Sequence, residues 1–155
     1  MKMMNTTNEI ITISRERLPE NVVRDLLLSL DPLFAKRLAE DVNIGSYALK
    51  LSEYANFEVA DISGHRGGVI AFYENEKELY ITYVCVSVAK RRMGVADRLL
   101  HSVCRYADSI GKPISLEVWV SNTKAIMLYE KHGFEKARGD TEKYLMTRAC
   151  RTPVS

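Results

Sequence analysis

The chain of 155 residues has 46% apolar and 27% charged residues, a composition typical of one folded domain with its own hydrophobic core. Its 22 basic and 20 acidic residues leave a formal charge of +2, so composition alone indicates neither a nucleic-acid partner nor a membrane partner. We expect a single domain over residues 1–155 with flexible ends at 1–9 and 151–155.

The first half of the chain predicts a mixture of strands and helices. Short alternating stretches predict a strand at 10–14 and two further strands at 57–62 and 68–73, joined by a glycine-rich turn. Apolar residues at helical spacing predict three helices between the first two strands, at 20–30, from Pro32 to Leu38, and at 46–54.

The second half contains the clearest elements. Residues 79–88 are β-branched and aromatic on both faces, which predicts a central strand buried on both sides. A helix at 94–110, a strand at 114–120, a helix from Asn122 to His132 and a terminal hairpin at 134–137 and 143–147 follow. The chain therefore predicts an α+β or mixed α/β fold, with three or four helices around six or seven strands.

Three cysteines, Cys85, Cys104 and Cys150, follow no spacing typical of metal ligands. The N-terminal segment lacks the apolar stretch of a secretory signal, and no aliphatic run is long enough to span a membrane. We expect reduced thiols, no bound metal, no membrane segment and a cytoplasmic location.

A basic segment links the predicted central strand to the long helix. The N-terminus of a helix exposes unpaired N–H groups and a partial positive charge, which suits a phosphate. Gly94 and Ala96 would let these amides approach an anion, and three basic residues, 90–92, add charge. The residues alone support either a phosphate site or a solvated basic turn, and three basic residues without interleaved aromatics argue against a nucleic-acid site.

The pattern Arg91-x-x-Gly94-x-Ala96 after a hydrophobic strand resembles the acyl-CoA signature of the GNAT acetyltransferase superfamily. Residues 116–135, with an asparagine at a strand end and Leu-Tyr and Gly-Phe on the next helix, are similar to the second motif of the family, in particular of ribosomal-protein N-terminal acetyltransferases. The resemblance covers 79–135 and implies a central mixed sheet whose splayed strands form a cleft for acetyl-CoA.

The resemblance also implies a set of cofactor-binding residues. Main-chain groups of Val86 and Val88 would pair with the pantetheine arm, and Asn122 would contact the same arm from the neighbouring strand end. The amides expected to hold the pyrophosphate belong to Arg91, Arg92, Met93, Gly94, Val95 and Ala96. Arg92 departs from the pattern, since many relatives have glycine there, and it either contacts a phosphate or points outward.

Two side chains are candidates for the chemistry. The resemblance places Tyr129 near the thioester sulfur as general acid, and a tyrosine is protonated at neutral pH. A half-buried core aromatic is the structural alternative. Glu117 is the candidate base, because we expect partial burial on its strand to raise the pKa of its carboxyl group. A rim carboxylate paired with a basic residue is the alternative.

The predicted function is acetyl-CoA-dependent N-acetylation of a primary amine by direct attack on the thioester, with covalent catalysis through Cys85 as a minor alternative. A small-molecule amine or amino sugar is preferred as acceptor. A protein N-terminus, as in ribosomal-protein acetylation, and a non-catalytic CoA-binding module are the alternatives. We expect the acceptor between the helices of 18–55 and the terminal hairpin, against Tyr47, Tyr54 and Trp119, and a monomer or homodimer.

Overall fold

The computed structural model describes residues 9–151; most of the two expected flexible ends, residues 1–8 and 152–155, lie outside the described residues. In chain order the elements are β1 (Ile11–Glu16), α1 (Glu20–Ser29), α2 (Pro32–Asp41), α3 (Ile44–Tyr54), β2 (Asn56–Ile62), β3 (His65–Glu74), β4 (Leu79–Val86), α4 (Val95–Ser109), β5 (Ile114–Trp119), α5 (Thr123–Lys131), β6 (Glu135–Gly139) and β7 (Lys143–Arg148). The predicted α+β class with a seven-stranded sheet is confirmed, but the described residues form five helices rather than the three or four expected.

The seven strands form one mixed sheet in the order β1-β2-β3-β4-β5-β7-β6. β4 and β5 are parallel neighbours connected through α4, whereas the other described neighbours are antiparallel. The pairing of β4 with β5 starts at Leu79 and Ile114 and ends at Ile81 and Leu116, although both strands continue. The splayed central strands implied by the resemblance are therefore present.

A bulge in β4 distributes its side chains over both faces of the sheet. In the pairing of β3 with β4, Ala71 lies opposite Tyr83 and Phe72 opposite Ile81, so that Thr82 has no partner. Ile81 consequently packs into the core under α4, whereas Tyr83 packs into the core under α1 and α3. This explains why the sequence of β4 is apolar at nearly every position.

The two cores lie on opposite faces of the sheet. The core under α4 contains, among others, Phe72, Leu99, Leu100, Leu116, Phe134 and Met146. The core under α1 and α3 contains Leu26, Leu27, Leu51, Phe57, Val59 and Tyr83. Within the part of the chain that the structure describes, no helix has the length and apolarity needed to cross a bilayer.

Local chemistry explains most differences from the predicted boundaries. β2 and β3 are joined by Ser63 and Gly64 alone, both at positive φ (51° and 89°), which is the geometry of a tight hairpin rather than of the longer loop expected. α3 begins earlier than expected because the Asn43 side chain caps it, accepting a hydrogen bond from Ser46 N at 2.9 Å.

The expected extension of the central strand to Val88 is wrong. β4 ends at Val86, and Val88 begins a short 3-10 turn that ends at Lys90. The Val88 N–H donates to the carbonyl of Leu30 at 3.3 Å, so a contact from a distant part of the chain takes this amide out of the sheet. Val88 is 53% exposed.

Candidate active site

The connection between β4 and α4 is an open turn with two left-handed residues. Arg92 has φ 68° and Gly94 has φ 74°. Among residues 9–151, no side chain caps α4, so its first N–H groups are available to water or an anion. A Cβ added to Gly94 would meet no atom within 4 Å. The turn therefore has the open space, the free donors and the positive end of a helix dipole that a phosphate group requires.

The three basic residues of this turn have different surroundings. The Lys90 ammonium lies 2.8 Å from the Glu9 carboxylate, and the Arg91 guanidinium is paired with Asp31. Burial of Asp31 raises the pKa of its carboxyl group, but hydrogen bonds from Arg91 and from the Phe34 amide outweigh burial and hold the pKa below its usual value. The charge of two of the three residues is thus balanced locally.

A cleft of about 620 Å³ opens beside this turn, between β4 and α5. The predicted cofactor-binding residues that line it are Val86, Arg91, Arg92, Gly94, Val95, Ala96 and Asn122, together with Tyr129. Val88 and Met93 are outside its wall. Met93 is instead half-buried against the core under α4.

A second cleft, of about 630 Å³, continues on the other side of the splay. Tyr47 and Trp119 line it as expected, but Tyr54 does not: it is the last residue of α3 and is 63% exposed. The two clefts share five residues, namely Phe34, Arg37, Val84, Asn122 and Tyr129. The two cavities therefore meet where Tyr129 lies.

Tyr129 is held rigidly at this junction. It is 7% exposed, and its ring packs against Phe134 with 5.7 Å between the ring centroids. Burial raises the pKa of Tyr129 to about 12. Asn122 starts the same helix, because its Oδ1 accepts a hydrogen bond from Ala125 N at 3.2 Å. Tyr129 is thus both a packed aromatic residue and a protonated hydroxyl at the wall of both clefts.

Glu117 lies in the second cleft, but its expected partial burial is wrong. The residue is exposed. The pairing of β4 with β5 ends at Leu116, so no residue of β4 lies opposite Glu117. Its neighbour is Tyr80, a residue that the sequence interpretation missed. Burial and then the nearby Glu117 carboxylate raise the pKa of Tyr80. The sequence of β4 is apolar on both faces and contains no motif that distinguishes Tyr80 from a core tyrosine.

Tyr47 stabilises the start of the splay. Its hydroxyl donates to the Thr82 carbonyl at 3.1 Å and lies 2.7 Å from the Thr82 hydroxyl. The contact thus supplies a hydrogen-bonding partner to the bulged residue of β4. Burial raises the pKa of Tyr47 to about 12, so this hydroxyl is protonated at neutral pH.

The described residues contain no group of three or more histidine, cysteine, aspartate or glutamate side chains arranged to hold a metal ion. The described cysteines are free thiols, with Cys85 and Cys104 buried and Cys150 half-buried. Burial raises the pKa of the Cys85 thiol, which makes it a poor nucleophile at neutral pH.

The seven-stranded mixed sheet with a cleft at the splay of β4 and β5 is the architecture of an acyltransferase. Residues 29–134 match the family described as Acetyltransferase (GNAT) family, and the chain belongs to this family. It is an N-acetyltransferase that uses acetyl-CoA as the acetyl donor.

Comparison with known proteins supports the assignment. The chain is 31% identical over 116 residues to the N-terminal acetyltransferase B complex catalytic subunit NAA20 of Arabidopsis thaliana, covering 70% of this chain and 67% of that protein. Its fold is similar to PaiA N-acetyltransferase of Thermoplasma acidophilum in complex with coenzyme A (TM-score 0.70, 13% identity, 89% of this chain and 99% of that chain). It is also similar to the ribosomal-protein-S18-alanine N-acetyltransferase of Escherichia coli (TM-score 0.68, 18% identity, 93% and 97%).

Proposed function

We propose that the enzyme transfers the acetyl group to the α-amino group of a protein or peptide N-terminus. The observation that carries this proposal is the 31% identity to NAA20, named as a catalytic subunit of an N-terminal acetyltransferase complex. It favours a polypeptide acceptor over the small-molecule amine or amino sugar preferred from the sequence. The second cleft, walled by α2, β4 and β5, would receive this acceptor beside Glu117.

The donor would lie in the first cleft. Beyond Ile81, β4 has no partner on the β5 side, so main-chain groups of this segment, Val86 included, are available to an extended pantetheine arm. The first amides of α4, with Arg91 and Arg92 beside them, would hold the diphosphate, and Asn122 would contact the arm. Bound acetyl-CoA supplies an activated acetyl thioester at the junction of the clefts.

Two residues would then move protons. Glu117, exposed in the second cleft beside Tyr80, would accept the proton that the acceptor ammonium must lose before its nitrogen can attack. Tyr129, protonated because its pKa is about 12, would donate a proton to the departing thiolate. The buried, protonated Cys85 thiol supports direct transfer rather than a covalent enzyme intermediate.

The Tyr129→Phe variant tests the general acid. We expect kcat to fall by about 10²- to 10⁴-fold with CoA affinity unchanged, because the variant removes only the proton donor. Tyr144→Phe is the matched control, since Tyr144 is half-buried on β7 outside both clefts, and its kcat should equal that of the wild type. Unchanged turnover in Tyr129→Phe would contradict the role.

The pH dependence of the wild type gives a second check. Since the pKa of Tyr129 is about 12, its ionisation should cause no loss of wild-type activity at any pH up to about 10.

An acceptor panel tests the substrate class. The panel contains peptides with a free α-amino group, the same peptides with a blocked N-terminus, amino sugars and polyamines. Release of the CoA thiol and mass spectrometry of the products measure their acetylation. We expect acetylation of the free peptides at the α-nitrogen alone. Acetylation of amino sugars or polyamines with inert peptides would contradict the proposal.

We also propose a cytoplasmic location for the enzyme. The support is the cysteine chemistry: the described thiols are free, and two of them are buried, as is usual in a reducing compartment.

A further inference from the structure

The second helix, α2, lies across the splay and lines both clefts. Its Phe34 ring stacks on Tyr83 of β4 at 5.7 Å with an interplanar angle of 7°. The Arg37 guanidinium lies 5.5 Å from the centre of the Trp119 ring on β5. Phe34 and Arg37 each belong to the wall of both cavities. The position of α2 therefore sets the shape of the acceptor cleft.

α2 has little core packing to hold it there. Ala35 is its one buried residue, Phe34 and Leu38 are half-buried against the core under α1 and α3, and Leu33 is 81% exposed. A helix with so little buried apolar surface depends on contacts at its ends and on its few side-chain contacts. The contact at its first turn is therefore important for its position.

Asp31 attaches this first turn to the turn that would hold the diphosphate. One oxygen of Asp31, Oδ1, accepts a hydrogen bond from the Phe34 amide at 3.2 Å and caps α2. The other, Oδ2, is paired with the guanidinium of Arg91. Nearby, the Val88 N–H donates to the Leu30 carbonyl, so the two segments are joined by backbone as well. The side chain of Asp31 is 12% exposed and that of Arg91 is 48% exposed, so solvent screens the pair from the Arg91 side only.

We propose that Asp31 is a positioning residue that couples the two clefts: its pairing with Arg91 fixes α2, and with it Phe34 and Arg37, for acceptor binding. This inference rests on the proposed function, because it assigns the first cleft to the coenzyme and the second to the acceptor. The same carboxylate lies beside the proposed site of a diphosphate, where its negative charge opposes anion binding. Asp31 thus favours the acceptor and disfavours the coenzyme.

These opposite effects on acceptor and coenzyme binding distinguish the proposed role of Asp31 from a purely structural one. Asparagine is as good a helix cap as aspartate, so Asp31→Asn keeps the bond from Phe34 and removes only the charge that pairs with Arg91. We expect the KM for a peptide with a free α-amino group to rise about 3- to 10-fold, from the loss of one partly screened charge-assisted contact. We expect the Kd for CoA, measured by calorimetry, to stay the same or fall.

Two further variants complete the experiment. Asp25→Asn is the matched control, since Asp25 is exposed on α1 outside both clefts, and it should leave both constants unchanged. Arg91→Ala should weaken CoA binding and raise the acceptor KM. Adding Asp31→Asn to Arg91→Ala should raise the acceptor KM no further, because the pair is already broken.

Three results would overturn the inference: an unchanged acceptor KM in Asp31→Asn, weaker CoA binding in that variant, or additive effects in the double variant. Failure of the proposed function looks different, because the wild type itself would then leave CoA unbound or the peptide unacetylated. If another amine is the true acceptor, the same comparison is made with that amine, and the inference about Asp31 is judged independently.

Discussion

Gly94 offers a direct test of the proposed diphosphate site, because the chain contains a second glycine with nearly the same φ angle. Gly94 has φ 74° before α4, and Gly111 has φ 73° after it. An added Cβ would meet no atom within 4 Å at either position. Replacement by alanine therefore introduces the same backbone strain at both sites and no collision with the protein.

The expected loss of stability is equal for Gly94→Ala and Gly111→Ala. A left-handed alanine costs roughly 1–2 kcal/mol, and the reduced entropy of the unfolded chain offsets about 0.4–1 kcal/mol of this. The net loss of roughly 1 kcal/mol corresponds to a decrease in Tm of about 2–4 °C for a chain of this size. Thermal unfolding followed by circular dichroism measures it.

The two variants should differ in coenzyme binding. At Gly94 the methyl group fills space beside the proposed diphosphate, and loss of one hydrogen bond to a charged group corresponds to about a 10- to 100-fold weaker Kd for CoA. Gly111→Ala should bind CoA like the wild type. Equal CoA affinity of the two variants, with equal decreases in Tm, would refute the placement of the diphosphate at this turn.

Further predictions concern stability. Arg148 contacts Asp108 through Nη1 at 2.9 Å and Nη2 at 3.1 Å, and its Nε donates to the His132 carbonyl. Arg148→Met should lower the free energy of unfolding by about 2–4 kcal/mol in urea at pH 7, less than for a fully buried pair, because the Asp108 side chain is 23% exposed. Hydrogen bonds from Arg148 lower the pKa of Asp108. The difference in unfolding free energy between the wild type and Arg148→Met should therefore have its full size above about pH 4 and shrink as the pH falls below that value. A difference that does not change with pH would contradict the ion pair. Arg92→Gly should raise Tm by about 1–3 °C through relief of the positive φ. Weaker CoA binding by the same variant would indicate a phosphate contact of Arg92, and unchanged binding an outward side chain.

The turn before α4 was predictable because its determinants are local. A glycine at positive φ, the start of α4 and the neighbouring basic residues all lie within residues 90–96, so the sequence alone predicted the turn and the helix start, while it left a phosphate site and a solvated basic turn both open. Arg92 shows the same logic: the position at which many relatives have glycine has φ 68° here.

The wrong predictions concern residues whose structure depends on contacts between distant segments of the chain. Val88 has the β-propensity of a strand residue, but its amide is bonded to Leu30, which the local pattern does not show. Ser115 and Glu117 alternate on one strand, yet Ser115 is buried and Glu117 exposed, because the pairing of β4 with β5 ends between them at Leu116. The role of α2 was not predictable either, since it depends on the partners of Asp31, Phe34 and Arg37 and not on any motif.

The bulge at Thr82 accounts for the position of both clefts. It falls directly after Ile81, the last residue of β4 that pairs with β5, so the strand turns its side chains over at the point where it loses its neighbour. Beyond this point β4 remains paired with β3 on one edge and is free on the other, which is the edge an extended donor arm would need. On β5 the first residue beyond the paired segment is Glu117, which is exposed in the second cleft. The proposed donor cleft and the cleft of the candidate base thus meet at Tyr129, next to the point where the pairing of β4 with β5 ends.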